Sequence, residues 1–352
     1  MTRTKLVEKR YQRAMAVKDG WLGLWQDCYN YALPQHKTNN INGKSSGRRG
    51  SDLYDATASD AIEQLAASLL GHLTPPWSQW FGLKPGPDVT ETDRQALASI
   101  LEKAAKTVQS HFDRSNFSVE LHQCFLDLTV GGTASLLFEE SEPGALSAFN
   151  FTSVPLMSVA MDEGGNGRLE NTYRKLEMTA AQIRDRYPYA DLPEQMERKN
   201  NEEIYNVCES VVAEEEGYVY SASVPDNAVE LAHVRLEHNP FINFLWMKSP
   251  GEIYGRSPVM KVLPDIKTAN KVVELILKNA SIAISGIWQA DDDGVLNPAN
   301  IELIPGAIIP KAVGSKGLTP LDMPGRFDVS QLVLEDLRAR IRHALLVDRL
   351  PQ

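Results

Sequence analysis

From Leu6 to Tyr31 apolar and polar residues recur at helical spacing, and the run closes at Pro34, which predicts an N-terminal helix. The following stretch, QHKTNNINGKSSGRRGSDLY, is polar and rich in Gly, Ser and Asn, and reads as a loop. Asp55 is placed to cap a second helix in which Ala58, Ile62, Leu65, Leu69 and Leu73 repeat at three- and four-residue intervals until Pro75-Pro76 stop it. Two more helical patterns run from Thr90 to Arg114, amphipathic and charged on its outer side, and from Val119 to Val130, more apolar, ending at Gly131-Gly132 before a strand-like ASLLFEE.

Between about 133 and 247 the period changes to two. SVAMDEGGNGRLENTYRKLE reads as strand, Gly-rich turn, strand, and EIYNVCESVV, GYVYSASV and VELAHVRLE continue the sheet pattern, largely antiparallel. Ser257 then suits a cap and Pro258 a first helical turn, while Pro264 either kinks that helix or starts its straighter part, Ile266 to Ile284. One face of this helix carries Ala269, Val273, Ile276, Ala280 and Ala283; the other carries Lys267, Lys271, Glu274, Lys278 and Ser281. Short strand-like pieces follow (GIWQADDDG, GAIIPK, LTPLD), then a second long helix from Asp328 towards Val347. On it Glu335, Arg338, Arg342 and Arg349 follow one face, and Leu334, Leu337, Ile341 and Leu345 another. Helices first, then sheet, then helix, small β module, helix: the fold class is α+β.

Composition narrows the function classes. The 352 residues are 43% hydrophobic and 23% charged, an ordinary globular balance with room for about two domains. A formal charge of −10 argues against a broad basic face for nucleic acid. Cys28, Cys124 and Cys208 are too few and too scattered for a disulfide framework or a zinc site. The charged N-terminus has no signal-peptide core and no stretch reaches the roughly 18 apolar residues of a membrane span, so a cytosolic setting is expected.

No catalytic set emerges, and neither a cofactor nor a metal is expected. NGKSS supplies the end of a phosphate-binding loop, but its first glycine falls on Thr38 and no strand precedes it. Asp291-Asp292-Asp293-Gly294 is contiguous where calcium-loop ligands alternate, and reads as a charged turn tip. The seven histidines are dispersed. The basic stripes on the two long helices are the one feature suggesting contact with a polyanion, against the alternative of solvated or carboxylate-paired lysines opposite a core face.

Three stretches together resemble the head-to-tail connector, or portal, proteins of short-tailed (T7-like) bacteriophages: GRRGSDLYDATASDAIEQLAASLLGHLTPPWSQWFGL, DEGGNGRLENTYRK and, most specifically, NPFINFLWMKSPGEIYGRSPVMKVLPDIKTANK. The resemblance implies a structural virion protein and no enzyme. It implies a ring, typically of twelve subunits, at one capsid vertex, assembled from the host cytoplasm, through which double-stranded DNA passes. Terminase, capsid or scaffolding protein and tail adaptor proteins are the implied partners, with no membrane. It divides the chain into a wing (1–256), a first stem helix (257–285), a clip (286–326), a second stem helix (327–347) and the start of a tunnel loop (348–352). Lys267, Lys271, Lys278, Arg338 and Arg342 are then candidate DNA-channel contacts, alternatively partners of Glu274, Glu335 and Asp336 on neighbouring helices. Trp288, Asp291, Asp292, Asp293, Lys311 and Lys316 are candidates for a terminase-docking clip. Trp77, Trp80 and Phe81 are expected to wedge the end of the second helix against the sheet. Family members continue past the position of Pro351-Gln352, which suggests a fragment or a truncated, assembly-incompetent prophage remnant; a small-ligand-binding α+β enzyme is the remaining alternative.

Overall fold

Helical periodicity in the first 131 residues resolves into α1 (Arg3–Ala32), α2 (Thr57–Leu73), α3 (Glu91–Arg114) and α4 (Phe117–Gly131) in a computed structural model of the chain. It describes residues 3–35, 53–164, 167–197, 203–227, 229–285, 288–290, 318–320 and 327–347. The NGKSS segment, Asp291, Asp292, Asp293, the GAIIPK piece, Lys311, Lys316 and Arg349 lie outside these residues.

The period-two region forms two sheets rather than the single one its strand pattern suggests. β1 (Thr133–Glu140) is the centre of a three-stranded sheet, flanked antiparallel by β2 (Phe149–Val154) and by β8 (Phe241–Leu245), so that Leu136 lies opposite both Ser153 and Ile242. Between β2 and β8 in the chain, an antiparallel meander of β3 (Val159–Glu163), β4 (Leu169–Thr179), β5 (Ile204–Glu214), β6 (Gly217–Val224) and β7 (Val229–Leu236) makes a separate five-stranded sheet. Two short helices, α5 (Ala180–Arg186) and α6 (Glu194–Glu197), interrupt it. α5 starts with a reciprocal cap between Thr179 and Gln182, and its Ile183 belongs to one buried cluster with Met196 of α6 and with Val207 and Val224 of the meander.

A buried carboxylate joins the two sheets. Glu209 of β5 accepts hydrogen bonds from Arg186 Nε (3.1 Å), Tyr187 (2.7 Å) and Tyr220 (3.1 Å), and Arg186 also reaches Glu139 at the end of β1 (3.4 Å). Burial, with Glu209 beside it, pushes the Tyr187 hydroxyl up to about 12.

α7 (Pro258–Ser285), β9 (Trp288–Ala290), β10 (Leu318–Pro320) and α8 (Phe327–Ala344) complete the chain, with β9 and β10 antiparallel. Ser257 caps α7 by accepting from Met260 N at 3.0 Å, and Pro264 sits inside the continuous helix instead of dividing it. The main core is shared: Trp25, Ile62, Phe125, Leu136 and Phe241 belong to one buried cluster with Val259, Leu263 and Ile266 of α7 and with Leu334, Leu337, Ile341 and Leu345 of α8. α7 is therefore rooted in the body as far as Asn270, and from Lys271 to Ser281 every side chain is half-buried or exposed.

The root depends on a backbone approach that only glycine permits. Gly132 ends α4 in the left-handed region (φ 77°), and a Cβ there would stand 2.3 Å from the Gly255 carbonyl oxygen. A Cβ on Gly255 would in turn stand 2.1 Å from the Gly132 oxygen. Hydrogen bonds close the joint on both sides: Trp246 N to Gly132 O (2.9 Å), Gly255 N to Thr133 Oγ1 (2.9 Å) and Ser257 Oγ to Val130 O (2.8 Å). Replacing Gly132 or Gly255 with Ala is expected to destabilise the chain by on the order of 3 kcal/mol, through overpacking against immovable backbone. The check is chemical denaturation, in which Gly20→Ala, with open space around its Cβ position, serves as the control.

Lys18 of α1 is almost wholly buried, donating to the Met157 carbonyl at 2.5 Å, and burial lowers its ammonium to about 8, with Asp19 partly opposing. Between about pH 8 and the ordinary lysine value near 10.5 the unfolded chain binds the extra proton, so this residue contributes stability that rises with pH across that window. The difference in thermal midpoint between the native chain and Lys18→Met should grow in favour of the native chain from pH 8 to 10.5. A flat difference would contradict the assignment.

Candidate functional site

α7 and α8 run antiparallel: Asp265, near the start of α7, meets Arg340, near the end of α8, at 4.0 Å, and the β9–β10 pair lies in sequence between their other ends. Of the apolar stripes read from the sequence, Ala269, Val273 and Ile276 of α7 fall in the same cluster as Leu334, Leu337 and Ile341 of α8.

At the foot of this hairpin three distant segments are tied by polar side chains. Asn270 Oδ1 accepts from the backbone N–H groups of Tyr54 (2.6 Å) and Asp55 (3.2 Å). Asp55 accepts from Thr57 N at the first turn of α2 (3.0 Å) and from Arg338 Nε and Nη2 of α8 (2.8 and 2.7 Å). The cap position itself is Ala56, so Asp55 serves the helix from one residue further out than its sequence position suggests. Burial alone would raise the Asp55 carboxyl, but the hydrogen bonds from Thr57 and Arg338 outweigh it and hold the group below its ordinary value.

The five basic candidates are not equivalent. Lys267 pairs with Asp27 of α1 at 2.7 Å and stands over the Tyr31 ring, 5.4 Å from its centroid. Arg338 is held by Asp55. Lys271 and Lys278 both reach Glu274 on their own helix, Lys271 at 2.9 Å, and these hydrogen bonds, that from Lys278 foremost, hold the Glu274 carboxyl low. Arg342 is exposed and makes no ion pair among the described residues. Of the carboxylates considered as partners on neighbouring helices, Asp336 pairs with Arg340 (2.7 Å) and Glu335 accepts from Gln331 (3.3 Å). Trp288 lies in β9 opposite Pro320.

The aromatic segment after α2 separates into two parts. Trp80 stacks on Phe117 (5.9 Å, 9°) and meets Phe112 edge-on, and Phe81 also contacts Phe112. Phe112 continues the series to Phe149 and Phe151 of β2. Trp77 stands outside it, 77% exposed, with its ring edge 3.5 Å from where a Gly71 Cβ would be.

Sequence reasoning did not find the roles of Asn270, Asp27 and Glu209. Asn270 carried a usable signal, an amide of modest helix propensity beside an apolar stripe. Asp27 and Glu209 carried none, because their partners are 240 residues away for Asp27 and, for Glu209, on α5, at the α5 terminus and on neighbouring strands. Among the described residues no group of three or more His, Cys, Asp or Glu is arranged to hold a metal ion, and no helix is long and apolar enough to cross a membrane.

The family described as "Bacteriophage head to tail connecting protein" matches residues 4–352. The "Probable portal protein" of Bordetella phage BPP-1 is 25% identical over 184 residues, 52% of this chain and 32% of that protein. The "Portal protein" of Enterobacteria phage T3 is 22% identical over 345 residues, 92% of this chain and 61% of that protein. The chain thus spans less than two thirds of the length of either relative. A chain from a solved virion of the native gene transfer agent particle aligns with a TM-score of 0.37 at 12% identity, covering 70% of this chain and 61% of that one, a likeness too distant to carry an argument.

Removing one side of the Asp55–Arg338 pair should cost roughly 2–4 kcal/mol, because it leaves the other side's charge half-desolvated and, for Asp55→Asn, weakens the start of α2. The pair's contribution is present above the ordinary aspartate value near 3.8 and is lost as pH falls through the depressed folded value. Acid titration of Asp55→Asn should therefore show a shallower loss of stability below pH 4 than the native chain.

Proposed function

The chain belongs to the family of bacteriophage head-to-tail connecting proteins, and from that premise we propose that it is a portal subunit: one member of a ring at a capsid vertex through which double-stranded DNA enters and leaves. The family is a structural one, and no catalytic role is part of the proposal. The observation that carries the reading is the α7–β9/β10–α8 hairpin, two long helices rooted in an α+β body with a β pair between them. In this reading residues 1–256 form the wing, 257–285 and 327–347 the stem, 286–326 the clip that receives terminase through Trp288 and its neighbours, and 348–352 the start of a tunnel loop. Capsid or scaffolding protein and tail adaptors are the other partners.

A passage must let a polyanion slide, so its phosphate contacts have to be few and weak. The net charge of −10 and the carboxylate pairing of Lys267, Lys271, Lys278 and Arg338 fit that requirement. Of the five bases, Arg342, exposed and without an ion pair among the described residues, is the strongest candidate to touch DNA. Lys271 and Lys278, on either side of Leu275 on the outer side of α7, suit a protein neighbour better.

Native mass spectrometry of the assembled protein should give a closed ring, and a monomer at every concentration would overturn the reading. In an assembly competent for packaging, Arg342→Gln should reduce the salt dependence of DNA packaging while leaving ring mass unchanged. An unchanged salt dependence would remove this residue from the channel.

A further inference from the structure

Beyond the hairpin's foot, four large apolar side chains stand in water. Leu275 and Leu277 of α7 are 48% and 53% exposed, and Leu332 and Val333 of α8 are 70% and 46% exposed. Helical spacing groups Lys271, Leu275 and Lys278 on the side of α7 turned away from Ala269, Val273 and Ile276, and Leu332, Asp336 and Ala339 on the side of α8 turned away from Leu334, Leu337 and Ile341. One outer face is a leucine between two lysines. The other is a leucine followed one turn later by Asp336, which Arg340 pairs with one turn further on.

We infer that these faces meet between copies: the outer face of α7 in one subunit packs on the outer face of α8 in a second copy of this chain, Leu275 against Leu332 and Lys271 against Asp336. The levels agree. With Asp265 and Arg340 side by side, Leu275 lies ten residues above that level on α7 and Leu332 eight above it on α8. Lys271 and Asp336 lie six and four above it. At the helical rise both pairs match within about 3 Å for neighbours related by rotation about an axis along the hairpin. The inference rests on the portal reading for that rotation.

Charge selects the occupant. A two-fold dimer through either face would set Lys271 and Lys278 against themselves, or Asp336 against itself, whereas joining unlike faces pairs opposite charges and produces the head-to-tail contact from which rings close. The present partners of these groups are easily given up: Lys271–Glu274 and Asp336–Arg340 are neighbours within one helix, with Lys271 and Asp336 61% and 65% exposed.

The test is mild oxidation of the Leu275→Cys/Leu332→Cys double variant, read on a non-reducing gel. Cys28 and Cys124 are buried and Cys208 partly so, which keeps the background low. The double variant should give a ladder of covalent oligomers that reductant collapses, and each single variant should stay monomeric. Dimers from Leu275→Cys alone, or no ladder from a double variant whose native mass shows assembly, would overturn the inference and leave the portal reading standing. A native chain that stays monomeric would sink both. As a second measurement, Lys271→Glu and Asp336→Lys should each weaken assembly about tenfold, and the two together should restore it. Failure of the paired swap to restore assembly would count against this contact.

Discussion

The contact between the backbones of Gly132 and Gly255 is the constraint on which the remaining architecture hangs. Gly132 closes α4 and opens β1, the central strand of the smaller sheet; Gly255 lies three residues before α7 begins. Joining them without side chains lets Ser257 reach the Val130 carbonyl while capping α7, so the end of one helix fixes the start of another more than a hundred residues away. Nearly half of α7 is thereby drawn into the main core, and α8 returns onto it. A Cβ at either glycine would push these elements apart.

Polar side chains then set orientation within that frame. Asp55, Asn270 and Arg338 bind the start of α2 to both long helices, and Glu209 with Arg186 binds the meander to the end of β1. Each assembly places a buried or nearly buried carboxylate among several donors, the arrangement in which desolvation is compensated. Cations that look alike in the sequence consequently differ in role: Lys267 and Arg338 hold elements together, whereas Arg342 faces outward.

Long helices were legible in the sequence because their periodicity is local. The bounds of α3, α4 and α8 agree with the pattern to within a few residues, and the hairpin of β3 with β4 follows from its Gly-rich turn. The division of strands into two sheets was not legible, since β8 pairs with β1 across a separation of about a hundred residues and nothing in its own alternation names that partner. The aromatic segment shows the same limit. Trp80 and Phe81 find Phe112 and Phe117, but identical chemistry three residues earlier leaves Trp77 outside, and only the path of the chain after Pro75-Pro76 decides which ring turns inward. For the site, the two stripes on α7 and α8 were readable as patterns, while their carboxylate partners on α1 and before α2 were not.

α7 continues through Pro264 without a break, and this gives it the mechanics of a lever. Its 28 residues make a rod of about 42 Å, clamped in the body along nearly half its length, with about 22 Å beyond Asn270. A tilt of ~5° at the clamp would sweep the free end by ~2 Å over that remaining length. Sub-ångström adjustments around Gly255 are thus amplified at the far end of the hairpin, where Trp288 begins the strand that follows.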